Sequence, residues 1–71
     1  MLIEYDPESD AAFVWLVEPK EDKIVDGELW PSELNEHIGL LFDSEKKLIG
    51  IEILFASAHL PQQVLDEAIK T

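Results

Sequence analysis

Ile38-Gly39-Leu40-Leu41-Phe42-Asp43 and Leu48-Ile49-Gly50-Ile51-Glu52-Ile53-Leu54, joined by Ser44-Glu45-Lys46-Lys47, decide how this chain folds. Both runs are rich in branched apolar residues, and the polar tetrapeptide between them is turn chemistry. In an antiparallel hairpin with Asp43 opposite Leu48, Phe42 faces Ile49, Leu40 faces Ile51 and Ile38 faces Ile53. Side chains alternate across a strand, so all six share one face. A slip of one residue scatters them, and the pattern itself therefore selects this register.

The flanking elements are shorter. Leu2 to Tyr5 reads as a strand, followed by the turn Asp6-Pro7-Glu8-Ser9-Asp10. Ala12 to Val17 is the clearest strand, with aromatic and β-branched side chains throughout, and Pro19 with Lys20-Glu21-Asp22-Lys23 ends it in a polar turn. Ile24 to Leu34 is interrupted by Gly27 and Pro31, so any strand there is bent, bulged or at an edge. Pro31-Ser32-Glu33-Leu34 is alternatively a single helical turn. Pro61 suits the first position of a C-terminal helix. Leu60, Val64, Leu65, Ala68 and Ile69 form its apolar stripe, and Lys70 complements the negative end of its dipole. The predicted fold is α+β, a single domain over residues 1–71. It is an antiparallel meander of four to five strands, with one C-terminal helix packed on one face.

Composition narrows the function. The 71 residues carry five lysines, no arginine and sixteen carboxylates, a formal charge of −11. At 46% hydrophobic the chain is too apolar for a disordered acidic tail. Scattered lysines and the lack of arginine argue against nucleic acid. The N-terminus has no basic n-region, and the longest uncharged stretch, Ile53 to Gln63, falls short of the ~20 residues that span a bilayer. A soluble cytoplasmic protein is expected. There is no cysteine, which excludes disulfides and thiolate metal sites. A core this small yields about 3–5 kcal/mol, so association with another chain is the expected source of further stability.

The second face of the sheet points the same way. Phe13, Trp15 and Val17 fall on it, with Leu41, Leu48, Leu54, two glycines and the lone charge of Glu52. One helix of ten residues, about 15 Å long, covers one face and not both. Either the Trp30–Glu36 stretch folds over the second face, or a second subunit or partner does. An exposed apolar face with aromatics favours the second alternative, most simply a homodimer. The interface candidates are Phe13, Trp15, Val17, Leu41, Leu48 and Glu52.

No constellation of catalytic residues emerges. Asp6, Glu8 and Asp10 alternate like the start of a calcium loop, but Ala11 and Val17 stand where that loop needs glycine and a bidentate glutamate. They read as turn-forming acids. His37 and His59 lack zinc-type spacing, and the four serines lack a nucleophile motif. No metal or cofactor is assigned. Glu52 reads as an interface charge. The alternative is a buried acid in a small-ligand or enzymatic site at a subunit interface, with Asp6 or Asp10 beside it.

The segments Tyr5-Asp6-Pro7-Glu8-Ser9-Asp10-Ala11 and Phe42-Asp43, then Leu48-Ile49-Gly50-Ile51-Glu52-Ile53-Leu54 and Ala56-Ser57, carry a resemblance. They are similar to the two signatures of a small bacterial domain-of-unknown-function family, number twenty-two eighty-three. The resemblance implies an α+β fold and no established reaction. Some members look like partners of small toxin-like proteins, so an antitoxin-like acidic protein that caps a small basic toxin is a second reading. The family carries glycine at the positions of Lys46 and His37, which implies positive φ there, at a cost of about 1 kcal/mol for a residue with a side chain. It often carries polar residues at those of Trp15 and Leu41, so the second face is more apolar in this chain.

Overall fold

A computed structural model describes residues 2–17 and 25–71. The turn expected over 19–23 and the start of the Ile24–Leu34 stretch lie outside the described residues. Strands β1 (Leu2–Asp6), β2 (Ala11–Trp15), β3 (Gly27–Leu29), β4 (Ile38–Phe42), β5 (Leu48–Leu54) and β6 (Ile69–Lys70) form a sheet in the order β3-β4-β5-β2-β1-β6. Two short helices, α1 (Ala56–His59) and α2 (Gln62–Glu67), lie near the C-terminus.

The fold class is α+β as expected, but the sheet has six strands rather than four to five, is neither a meander nor wholly antiparallel, and two short helices stand where one was expected. β2 pairs with β1 and β5 rather than with β3, and β6 runs parallel to β1. Hydrophobicity explains this order. β2 and β5 are apolar on most of both sides, and such strands belong at a sheet's centre. β3 carries Gly27 and is followed by Pro31, which suits an edge. Pro31 opens one 3-10 turn, Ser32–Leu34.

The central hairpin forms with one change of register. Ile38 pairs with Ile53 and Leu40 with Ile51, as the alternation predicts. Nearer the turn, Phe42 pairs with Leu48 instead of Ile49. The turn closes one residue early, Asp43 N–H donating to Lys47 O at 2.9 Å. Asp43 Oδ1 accepts from the backbone N–H groups of Glu45 and Lys47, and Lys46 takes φ 64°. The surplus residue on β5 is absorbed by a bulge beside Leu41 and Phe42. Positive φ at Lys46 agrees with the family's glycine there. At the other family glycine the left-handed residues are Asn35 and Glu36, just before His37.

The first face holds the core. Ala12, Ile53, Ala56 and Leu65 are buried, with Tyr5, Val14, Ile38, Ile51 and Leu60 packed around them. Full burial of an aliphatic side chain such as Leu65 is worth about 1.5–3 kcal/mol. The helical segment is shorter than its stripe suggests. Ala68 turns to φ −68°, ψ 152°, and Ile69 and Lys70 pair with Glu4 and Tyr5. This supplies hydrogen bonds to the edge of β1, which a further helical turn would leave bare. Ile69 thus leaves the apolar stripe and is 54% exposed. Lys70 Nζ still donates to the last helical carbonyls, those of Leu65 and Asp66, and to Ala68 O. Among the described residues no helix is long and apolar enough to cross a membrane.

Candidate functional site

The strand registers assign the second face residue by residue. One row across the sheet reads Gly39, Glu52, Phe13, Glu4, and the next reads Glu28, Leu41, Gly50, Trp15, Leu2. The two glycines are seats for indoles. A Cβ on Gly39 would lie 2.4 Å from the ring of Trp30, and one on Gly50 would lie 2.9 Å from the ring of Trp15. Phe13 and Trp15 stack at 5.6 Å between centroids with their planes 4° apart. Trp15 Nε1 donates to Glu4 Oε1 at 2.9 Å, which fixes the indole's direction. Phe13, Trp15 and Trp30 are all half-buried.

Glu52 sits within this frame. Trp30 lies over the residue opposite it on β4, Phe13 is opposite it on β2, and Trp15 covers Gly50 two residues along its own strand. Burial pushes its carboxyl above the ordinary glutamate range, and the negative charge of Glu28 adds to the effect. Its side chain makes no hydrogen bond or ion pair with another described residue. Lys70, the one lysine in a described strand, stands opposite Tyr5 on the first face, so the described strands place no lysine on the second face.

Of the expected interface residues, Phe13, Trp15 and Glu52 come together on this face. Leu41 belongs to it but is only 2% exposed, so the chain itself already covers this part of the face and Leu41 is not open to a partner. Leu48 does not belong to it. The bulge shifts its parity, and it pairs in the row of Phe42. Val17 lies past the end of β2 in a bend, outside the ladder. Of the Trp30–Glu36 stretch, Trp30 covers part of the face while Ser32 to Glu36 are exposed.

A second constellation joins the two signature segments. Asp10, at φ 56°, accepts from Tyr5 Oη and Ser57 Oγ at 2.7 Å each and from Ser57 N–H at 3.0 Å. Its own carbonyl accepts from Ala56 N–H at 2.8 Å. The hydroxyl bonds from Tyr5 and Ser57 hold the Asp10 carboxyl below the ordinary range, and the bond to Asp10 pushes the Tyr5 phenol up. These bonds tie the β1–β2 turn to the start of α1. Asp6 is likewise occupied locally, accepting from Glu8 N–H and Ser9 Oγ. Neither acid stands ready to share a proton with Glu52.

Two further groupings lie elsewhere. His37 Nδ1 and His59 Nε2 are 3.1 Å apart, although 22 positions separate them in the chain. A hollow of about 310 Å³ between β1, β6 and α2 is lined by Leu2, Ile3, Val64, Glu67 and Ile69. Glu67 is its one charged lining residue, so it lacks the convergent polar groups of a chemical site.

The model of a family described as protein of unknown function (DUF2283) matches residues 2–57, and the chain belongs to that family. The matched span begins with β1 and ends on Ser57, the residue that closes onto Asp10. Curated proteins and solved structures gave no match.

Proposed function

We propose that the chain is a non-enzymatic binding module whose second sheet face receives a basic surface of a partner protein. The observation that carries this reading is Glu52, held without a counter-charge in the described strands between Trp30, Phe13 and the Trp15 indole. A lysine or arginine head entering there meets a desolvated carboxylate and aromatic faces, and both attract cations. The overall charge of −11 speeds encounter with such a surface. A small basic toxin-like protein is the partner class that the family resemblance suggests.

The test is a titration with a short peptide rich in Lys and Arg at low ionic strength, read by indole fluorescence. Saturable binding should weaken with salt, fall several-fold in Phe13→Thr and in Glu52→Gln, and remain unchanged in Glu45→Gln on the hairpin turn. Equal binding by all four proteins would contradict the reading.

A second copy of the chain is the other occupant, favoured by the stacked, half-buried Phe13–Trp15 pair. Against it, a two-fold contact of this face sets Glu4, Glu28 and Glu52 against the same three acids. Sedimentation at rising concentration separates the cases. A monomer supports the basic partner, and a dimer lost in Trp15→Glu keeps the face but replaces the occupant. A dimer that survives Trp15→Glu removes the face from the account.

A further inference from the structure

We infer that His37 and His59 form a two-histidine chelate for a borderline divalent transition metal, such as Zn²⁺ or Ni²⁺. This site is independent of the second-face reading. It exists because the chain reverses at Phe55, which takes φ 52° and ψ 48° and carries β5 directly into α1. His59 is the last residue of α1, and His37 directly precedes β4. Leu54 N–H donates to His37 O at 2.7 Å, fixing the backbone on that side. The Phe55 ring packs on the His37 imidazole at 4.7 Å between centroids, which limits its rotation.

The metrics suit a metal. Imidazole–zinc bonds are about 2.0–2.1 Å, and two such bonds ending on nitrogens 3.1 Å apart subtend about 95–102°. That lies between square-planar and tetrahedral values, and each ring reaches a shared ion by aiming its nitrogen lone pair about 40° off the N···N line. Without metal the two nitrogens share one proton, the donor ring protonated at the facing nitrogen and the acceptor ring at its far one. Metal binding turns the donor ring to its other tautomer, so both lone pairs face the ion and no net proton is released from two neutral rings. His59 is exposed and His37 half-buried, so an ion reaches them from solvent. Among the described residues no group of three His, Cys, Asp or Glu side chains forms a metal site, so water or a donor from another molecule completes the coordination sphere. Imidazole donors select zinc, nickel or copper over magnesium and calcium.

The experiment titrates Zn²⁺ into the intact chain with millimolar Mg²⁺ present to occupy diffuse carboxylate sites, and follows the ring C–H signals of both histidines by NMR. The two rings should shift together and saturate at one equivalent, with reversal by EDTA. His37→Ala and His59→Ala should each lower affinity on the order of tenfold or more, because each removes one of two protein ligands. A ring that stays unmoved at saturation, no saturable binding, or binding that persists in both variants would overturn the inference. The wild-type ring shifts decide the question even if a variant fails to fold.

Discussion

Gly39→Ala is the substitution whose cost is most sharply set by the second face. Gly39 does not take a positive φ, so alanine meets no backbone strain, and in a strand it gains about 0.5–1 kcal/mol over glycine. Opposing this, the new Cβ would sit 2.4–2.7 Å from three atoms of the Trp30 indole, where ordinary contact begins at 3.4 Å. The ring must lift by about 1 Å or swing away. Holding it in place is an overpacking cost of ~1–3 kcal/mol. Releasing it exposes roughly half of a tryptophan's ~200 Å², about 2.5 kcal/mol at ~25 cal/mol/Å². The cheaper route prevails, and after the alanine gain the variant should be about 0–2 kcal/mol less stable, with the ring displaced in either case. Urea denaturation followed by circular dichroism measures this. Tryptophan emission in a Trp15→Phe background should shift to the red as Trp30 becomes wetter. Unchanged or higher stability with unshifted emission would mean that Trp30 does not rest on Gly39, and the wall beside Glu52 would be gone.

Three other substitutions follow from the same geometry. Lys46→Gly should stabilise the chain by roughly 0.5–1 kcal/mol in urea, because φ 64° strains a residue with a side chain, whereas Glu45→Gly should not. Glu52→Gln should raise the unfolding free energy measured in urea at neutral pH by no more than about 1 kcal/mol, solvent screening included. Its folded pKa is raised, so the wild type gains relative stability as pH falls through that value, and the difference between the two proteins should shrink in acid. Asp10 has a depressed folded pKa, so its contribution is present above the unfolded value of 3.8 and is lost as pH falls through the folded one. Asp10→Asn should flatten that acid limb of the stability curve, and a limb as steep as the wild type's would exclude Asp10 as its source.

The central hairpin and β2 were legible because their signal is local. Ile38, Leu40, Ile51 and Ile53 alternate strongly enough to choose a partner register by themselves. The bulge was not legible, since it depends on whether Asp43 closes the turn on Lys47 or on Leu48, and the polar tetrapeptide Ser44-Glu45-Lys46-Lys47 fits either closure. β6 and α1 had no signal of their own. Ile69 and Lys70 become a strand only because β1 offers a free edge, and Ala56-Ser57-Ala58-His59 is too short for helical periodicity to show.

At the candidate site, Glu52 stood out as the lone charge among the hairpin's second-face residues, with Phe13 and Trp15 on the same face, while strand pairing was needed to add Glu4 and Glu28 to that face. Trp30 reaches Gly39 from the connection between β3 and β4, as the first of the two coverings weighed for the second face allowed, but its seat on that glycine required the fold. The Asp10–Ser57 contact bridges 47 positions. The two family signatures held the clue to it, because each contains one end. The tie to α1 occupies Asp10, and Asp6 is occupied within its own turn by Glu8 N–H and Ser9 Oγ, so neither is free for chemistry at Glu52.

In the proposed function, a partner's cation enters at the aromatic frame around Glu52. Two-dimensional NMR of the indole N–H groups of Trp15 and Trp30, during addition of the Lys- and Arg-rich peptide, tests it most directly. Both signals should shift saturably at the same peptide concentration, and Glu52→Gln should weaken that response several-fold. Indole signals that stay fixed while backbone amides near the exposed acidic turns of Glu8 and Glu45 shift instead would contradict the claim.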